Sequence, residues 1–184
     1  MSKLKIYTFP DAILSKKSLP VQRVEKSYFK ISDDMLETMY EAPGIGLAAP
    51  QVGILERLIV VDVDYYPDED DEDAPEPDQE TAKKNPIVLI NPEIIYREGS
   101  TITREGCLSV PDYRSEVKRA EKIKLKYQNI DGLEKELSAE GILAVVIQHE
   151  LDHLEGTLFI DRLSQLKRDF AKKKLIKTRR EKGE

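Results

Sequence analysis

The chain's only two histidines both fall in His149-Glu150-Leu151-Asp152-His153. Side chains at i and i+4 of an α-helix share a face, so two imidazole nitrogens at this spacing can converge on one cation. The pattern therefore demands a helix. Ser138–Leu154 reads as one, with Ile142, Val145 and Val146 and the histidines along adjoining faces. Its apolar run, Gly141–Ile147, is far short of a membrane span. Such a helix belongs at the centre of a domain, with sheet packed on it.

The segments before it supply that sheet. Leu58-Ile-Val-Val-Asp-Val is β-branched and apolar and predicts a strand. Ile87–Tyr96, Ser100–Glu105, Tyr113–Lys118 and Lys122–Gln128 predict others, and the turn Asn129-Ile-Asp-Gly leads to Leu133–Leu137. Alternation is clearest in Ile123-Lys-Leu-Lys-Tyr, the mark of a sheet with one wet face. Ahead of these, Leu4–Val21 reads as extended coil packed across the body. Glu25–Ala42 reads as an amphipathic helix, its stronger half capped by Ser32-Asp-Asp and stopped by Pro43-Gly44. An amphipathic, basic helix is predicted at Leu163–Arg180. The expected fold is α+β: mostly antiparallel sheets around the central helix, with a C-terminal helix. At 184 residues the chain fits one catalytic domain, residues 1–184, carrying an acidic loop insertion at about 66–85.

A catalytic metal needs a third protein ligand and one open position. In the HExxHxxGxxH pattern of one zinc-protease class Gly156 is in place, but Phe159 stands where the third histidine should be. A downstream carboxylate ligand would have to come from Asp161, Asp169, Glu181 or Glu184, none well placed. Cys107, in Glu105-Gly-Cys-Leu-Ser-Val-Pro, is the one soft ligand on offer, and its thiolate suits a d-block metal. A third segment, Gly44-Ile-Gly-Leu-Ala-Ala-Pro-Gln51, lacks the third glycine or the GK[ST] ending of a phosphate loop. Its small residues let backbone approach a ligand closely. Gln51 adds an amide donor of the kind that stabilises an oxyanion.

These three segments, Gly44–Gln51, Glu105–Ser109 and His149–His153, together resemble the peptide deformylase family, whose motifs are GxGxAAxQ, EGCLS and HExDH. The resemblance spans nearly the whole chain. It implies hydrolysis of the N-formyl group from the formyl-methionine of new polypeptides, with release of formate. It also implies a metal on Cys107, His149 and His153, normally Fe²⁺ with Ni²⁺, Co²⁺ or Zn²⁺ able to substitute. Glu150 would be the acid/base, with Gln51 and the backbone N–H of Leu108 meeting the oxyanion. Gly44, Ile45, Gly46, Val145, Val146 and Ile142 are candidates for substrate contact. Arg114 either holds the substrate end or pairs with an acid such as Glu105, and Asp152 is expected to serve in structural pairing. A zinc endopeptidase is the enzymatic rival, and a ribosome-binding protein with an inert metal site is the non-enzymatic one. Gln51 and Glu150, which an inert site would not need, argue against the latter.

The net charge of −6 hides two opposed segments. Nine acids lie between Asp68 and Glu80 with no base among them, whereas Lys167–Lys182 carries nine Lys/Arg against two acids. The basic helix is a candidate for docking on ribosomal RNA. The opening Met1–Tyr7 has no apolar run, and one cysteine makes no internal disulfide, so a cytoplasmic protein away from membranes is expected. A monomer is the working expectation; no feature of the sequence bears on the oligomeric state.

Overall fold

Leu58, Ile59, Val60 and Val61 are all completely buried, so both faces of their strand must be covered. The computed structural model, which describes residues 3–65 and 84–182, shows how. Strands β1 (Gly46–Ala48), β2 (Leu58–Val61), β3 (Ile87–Glu98), β6 (Lys122–Gln128) and β7 (Glu134–Glu140) form one sheet in that order. Strands β4 (Thr101–Cys107) and β5 (Val110–Arg119) form a separate hairpin, and every strand pairing is antiparallel. Three helices, α1 (Ser27–Glu41), α2 (Gly141–Leu154) and α3 (Gln165–Lys182), complete this α+β fold.

Successive strand residues point to opposite faces, and β2 uses both. Ile59 and Val61 pack with Leu89, Ile123 and Leu125 against Ala144, Val146 and Ile147 of α2. Leu58 and Val60 pack with Leu47 and Ile90 against Met35 and Met39 of α1. Helix α2 is thus covered on one side by the sheet. In β6 Ile123, Leu125 and Tyr127 turn inward, and the alternating lysines lie on the wet face. There Lys122 and Lys124 pair with Glu140 and Glu136 of β7, at 3.4 and 2.7 Å. The hairpin has its own core, in which Val110 and Val117 meet Phe159, Ile160, Ala171 and Leu175.

Strand β3 carries a proline and still pairs on both sides because the ladder shifts there. The register slips between Ile90 and Glu93, and Asn91 takes φ 52°. Pro92 sits in that bulge, where no ladder donor is needed. The Asn91 amide holds the N-terminal segment, accepting from Val21 N and donating to Val21 O, both at 2.8 Å.

The structure adds to or adjusts the local reading of the sequence at three places. Gly46–Ala48, for which no element was assigned from sequence, is an edge strand, and Ala49–Val52 is a 3-10 turn. Strand β7 runs on to Glu140, so the central helix begins at Gly141 and not Ser138. Ser32 does not cap a helix: it is buried within α1, its hydroxyl donating to Phe29 O at 3.0 Å. Most of the acidic stretch at 66–85 lies outside the described residues, but its two ends meet, since Asn85 Nδ2 donates to Asp64 Oδ2 at 2.8 Å. Among the described residues no helix is long and apolar enough to cross a membrane.

Candidate active site

Helix α2 carries its histidines on a face that the sheet does not cover. His149, Glu150 and His153 are each less than a tenth exposed. The helix stops where Gly156 takes φ +70°, and a Cβ there would lie 2.7 Å from the Ser15 backbone, so only glycine fits. Across from His153 stands Cys107, at the end of β4. A register shift between Glu105 and Cys107 breaks the alternation of the hairpin, and Leu108-Ser109 makes its tight turn. The result brings Cys107 Sγ to 3.2 Å from His153 Nε2. The ligand atoms of Cys107, His149 and His153 all lie within 4.8 Å of one another.

The third segment closes on this cluster. Gln51, 1% exposed, accepts Ala48 N at 2.7 Å through its side-chain oxygen, which fixes the orientation of the amide. Its Nε2 then points at Ser109 Oγ, 3.1 Å away, and at Cys107 Sγ, 3.6 Å away. The N-terminal segment straps the two turns together, Tyr7 N donating to Gln51 O and Phe9 N to Ser109 O, both at 2.8 Å. Gly46 of β1 lies so close to Glu150 that a Cβ there would stand 2.5 Å from its Oε1.

Behind the cluster runs a chain of buried ion pairs. Glu105 Oε2 lies 2.8 Å from His149 Nδ1, leaving Nε2 of that ring for the cluster. Arg119 donates to Glu105 from Nε and Nη2 at 2.7 and 2.8 Å, and from Nη1 to Asp152 at 2.6 Å. Arg162 closes the chain with a two-pronged contact on Asp152. Burial opposes the charge on Glu105, but the Arg119 and His149 hydrogen bonds outweigh it and hold the carboxyl at about 2. Glu150 has no such support. Burial pushes its pKa up to about 7, and its Oε2 has no hydrogen-bond partner among the described residues. Burial, reinforced by His149 and Arg119, pushes His153 well below the usual histidine range and favours its neutral, metal-binding form.

Of the substrate-contact candidates, Gly46, Val145 and Val146 are near or on the buried part of α2. Gly44 lies against Leu108, where a Cβ would stand 2.9 Å from Cδ1. Ile45 is partly buried against the α2 core, whereas Ile142 is 50% exposed at the helix start. Arg114 is exposed and lies against Gly106. It does not hold Glu105. Arg119, which the sequence reading passed over, does so, together with Asp152. Ser109 and Arg162 were passed over as well. Arg119 and Ser109 are buried between elements, and Arg162 is an exposed side chain that pairs with Asp152 on a neighbouring element; neither kind of placement leaves a local pattern in the sequence.

A hard-to-ionise carboxylate beside a Cys/His/His cluster, on a helix roofed by a hairpin, defines a metallohydrolase. The polypeptide deformylase family model matches residues 3–169. A peptide deformylase of Bartonella tribocorum is 44% identical over 184 residues, covering 100% of this chain and 97% of that relative. One from Nitrosococcus oceani is 47% identical over 180 residues, 98% of each. A crystal structure of a peptide deformylase from Legionella pneumophila superposes with a TM-score of 0.84 at 41% identity, covering 99% of this chain and 98% of that one. A peptide deformylase from Ehrlichia chaffeensis in complex with actinonin gives 0.84 at 41%, covering 98% and 99%. The chain belongs to the polypeptide deformylase family. It is a hydrolase of N-terminal processing, removing the N-formyl group from newly made polypeptides.

Proposed function

We propose that Cys107, His149 and His153 hold one divalent metal ion and that Glu150, Gln51 and Leu108 carry the deformylation. The convergence of three soft and borderline donors within 4.8 Å, beside the buried and partnerless Glu150 oxygen, carries this reading. The donor set fits a d-block ion, because a thiolate and two neutral imidazoles leave a fourth position open. We take the ion to be Fe²⁺, with Ni²⁺, Co²⁺ or Zn²⁺ able to substitute, by resemblance to the family. When bound, the ion supplies Lewis acidity that lowers the pKa of water toward about 7.

The chain's own residues do the rest. Glu150 takes a proton from the attacking water as the new bond to the formyl carbon forms. The Gln51 amide and the Leu108 N–H meet the developing oxyanion, the former already fixed by its bond from Ala48 N. As the C–N bond breaks and formate leaves, Glu150 gives its proton to the departing amine. Gly44, Ile45 and Gly46 flank the formyl end with backbone, Val145, Val146 and Ile142 receive the methionine side chain, and Arg114 holds the peptide further along. Residues 1–184 act as one catalytic domain in the cytoplasm, as a monomer, with the acidic segment at 66–85 as an insertion.

Formate release from a formyl-Met tripeptide by anaerobically purified, metal-assayed protein tests the reading. Release that disappears in Glu150→Ala, with about one ferrous ion per chain lost in Cys107→Ser, is expected. Turnover persisting in Glu150→Ala would sink the assignment. Helix α3 presents the basic face proposed to dock on ribosomal RNA. Ribosome co-sedimentation should fall steeply between low and moderate salt and vanish in a Lys173→Glu/Lys177→Glu variant.

A further inference from the structure

Ser109 is completely buried in the tight turn that joins β4 to β5, and its backbone already has two tasks there. Its N–H donates to Cys107 Sγ at 3.4 Å, and its carbonyl accepts Phe9 N at 2.8 Å. Neither task uses the side chain. A serine wanted only for the turn would be served by its backbone. The hydroxyl oxygen instead lies 3.1 Å from Gln51 Nε2, 58 residues away along the chain. Buried polar groups are almost always hydrogen-bonded, and Gln51 is the partner this hydroxyl has among the described residues.

The direction of that bond follows from the other end of the amide. Gln51 Oε1 accepts Ala48 N at 2.7 Å, which turns the NH₂ group toward Ser109, so the serine oxygen accepts. A planar amide held at one end can still swing about that anchor. Held at both ends, its plane is set. With one Nε2 proton committed to Ser109 Oγ, the second proton of the same nitrogen is aimed as well, and Cys107 Sγ, 3.6 Å away, lies within its reach. The N-terminal strap stiffens the pair. Tyr7 N holds Gln51 O and Phe9 N holds Ser109 O, so both sides of the side-chain bond hang from one short segment.

We propose that Ser109 is a positioning residue for deformylation: its hydroxyl takes one proton of the Gln51 amide and thereby aims the other at the oxyanion. The inference rests on Gln51 serving as an oxyanion donor, as proposed above. Ser109 acts through Gln51 and not on the substrate. The test is a double-mutant cycle on the metal-loaded full-length protein, read as formate release from a formyl-Met tripeptide. Ser109→Ala removes the hydroxyl and keeps the N–H and carbonyl that hold the turn. Its kcat should fall at least about tenfold, within the roughly 10²–10³ that an oxyanion donor is itself worth, with KM within about twofold. In the Gln51→Leu background the same change should cost less than about twofold, because the group it aims is gone. A merely structural serine would cost the same in both backgrounds. Metal content should be equal in wild type and Ser109→Ala, since the bond to Cys107 Sγ comes from the backbone.

A second readout needs no turnover. In zinc-loaded, isotope-labelled protein the Gln51 side-chain amide protons are assigned in NMR spectra by their loss in Gln51→Leu. They should exchange with solvent at least about tenfold faster in Ser109→Ala than in wild type. Full activity in Gln51→Leu would remove the donor role and this proposal with it. If Gln51→Leu is crippled, then unchanged kcat in Ser109→Ala, equal losses in the two backgrounds, or unchanged amide exchange would each overturn the role of Ser109 alone.

Discussion

Gly46 and Glu150 approach so closely that one methyl group decides between them. In Gly46→Ala the added carbon would meet Glu150 Oε1 at 2.5 Å and Val146 Cγ1 at 2.8 Å. The carboxylate has to turn away, so kcat should drop by at least about tenfold with a Tm loss of only a few degrees. Equal kcat in the two proteins would show that the carboxylate has room to spare. Gln51→Leu keeps the volume but removes the amide, and an oxyanion donor is typically worth about 10²–10³ in kcat. Near-full activity in that variant would end its proposed role. Burial holds Glu150 at about 7, above its ordinary value of 4.5. In the metal-free protein the folded state therefore binds more protons than the unfolded state between those values, and stability falls as pH rises from about 4.5 through 7. The shift corresponds to an upper figure of about 3 kcal/mol. Denaturant titrations of metal-free wild type and Glu150→Gln across that range should differ by this slope, and parallel curves would refute the assignment.

The β4–β5 hairpin and helix α2 are held in register by Arg119, which is 4% exposed and bonds Glu105 on one side and Asp152 on the other. Removing one partner of a buried ion network leaves uncompensated charge and costs about 3–5 kcal/mol. Arg119→Leu should show that loss in chemical denaturation, while Arg97→Ala, at the exposed end of β3, should show almost none. Glu105 acts further in, since it orients the His149 ring. Glu105→Gln keeps the shape but weakens that bond, and outer-shell losses of this kind typically lower metal affinity about 10–100-fold. Competition against a chelator reads it directly. An unchanged affinity would mean that the ring is oriented by its packing against Phe159, whose ring lies 6.0 Å away.

On the scale of the molecule, the residues that flank 66–83 are tied to one another at one point. The Tyr40 hydroxyl and Asn85 N both donate to buried Asp62, at 2.7 and 2.9 Å. The Lys84 ammonium lies over the rings of Tyr40 and Tyr65, at 4.4 and 5.3 Å from their centroids. With the flanking residues held together by these contacts, replacing residues 66–83 by a short Gly-Ser link should leave kcat within about twofold and Tm within a few degrees, since closure entropy changes only slowly with the length of a connecting segment. A collapse of either quantity would show that the insertion supports the body of the protein. The opposite end is also tied down: Arg179 of α3 donates to Thr8 O and to Asp11, both at 3.0 Å. The last helix thus braces the strap that joins the Gln51 and Ser109 turns.

The residues proposed to carry the chemistry could be singled out because their spacing is itself chemistry. His149 and His153 meet only if 149–153 is helical, Cys107 is the chain's single thiol, and Gln51 ends a segment of small residues. The elements were legible where side-chain period matches backbone period, as in Ile123-Lys-Leu-Lys-Tyr and the β-branched run Leu58–Val61. Element ends were not, because Ser138-Ala-Glu can continue a strand or open a helix, and the ladder with β6 settles it as strand. The support of the site was hidden altogether. Arg119 is a buried guanidinium between two carboxylates, yet in the sequence it is one more basic residue near the end of a charged strand. What local order dictates can be read from neighbours along the chain. The partners of Arg119, Glu105 and Asp152, lie 14 and 33 residues away, and only the packing of hairpin on helix determined that they would meet.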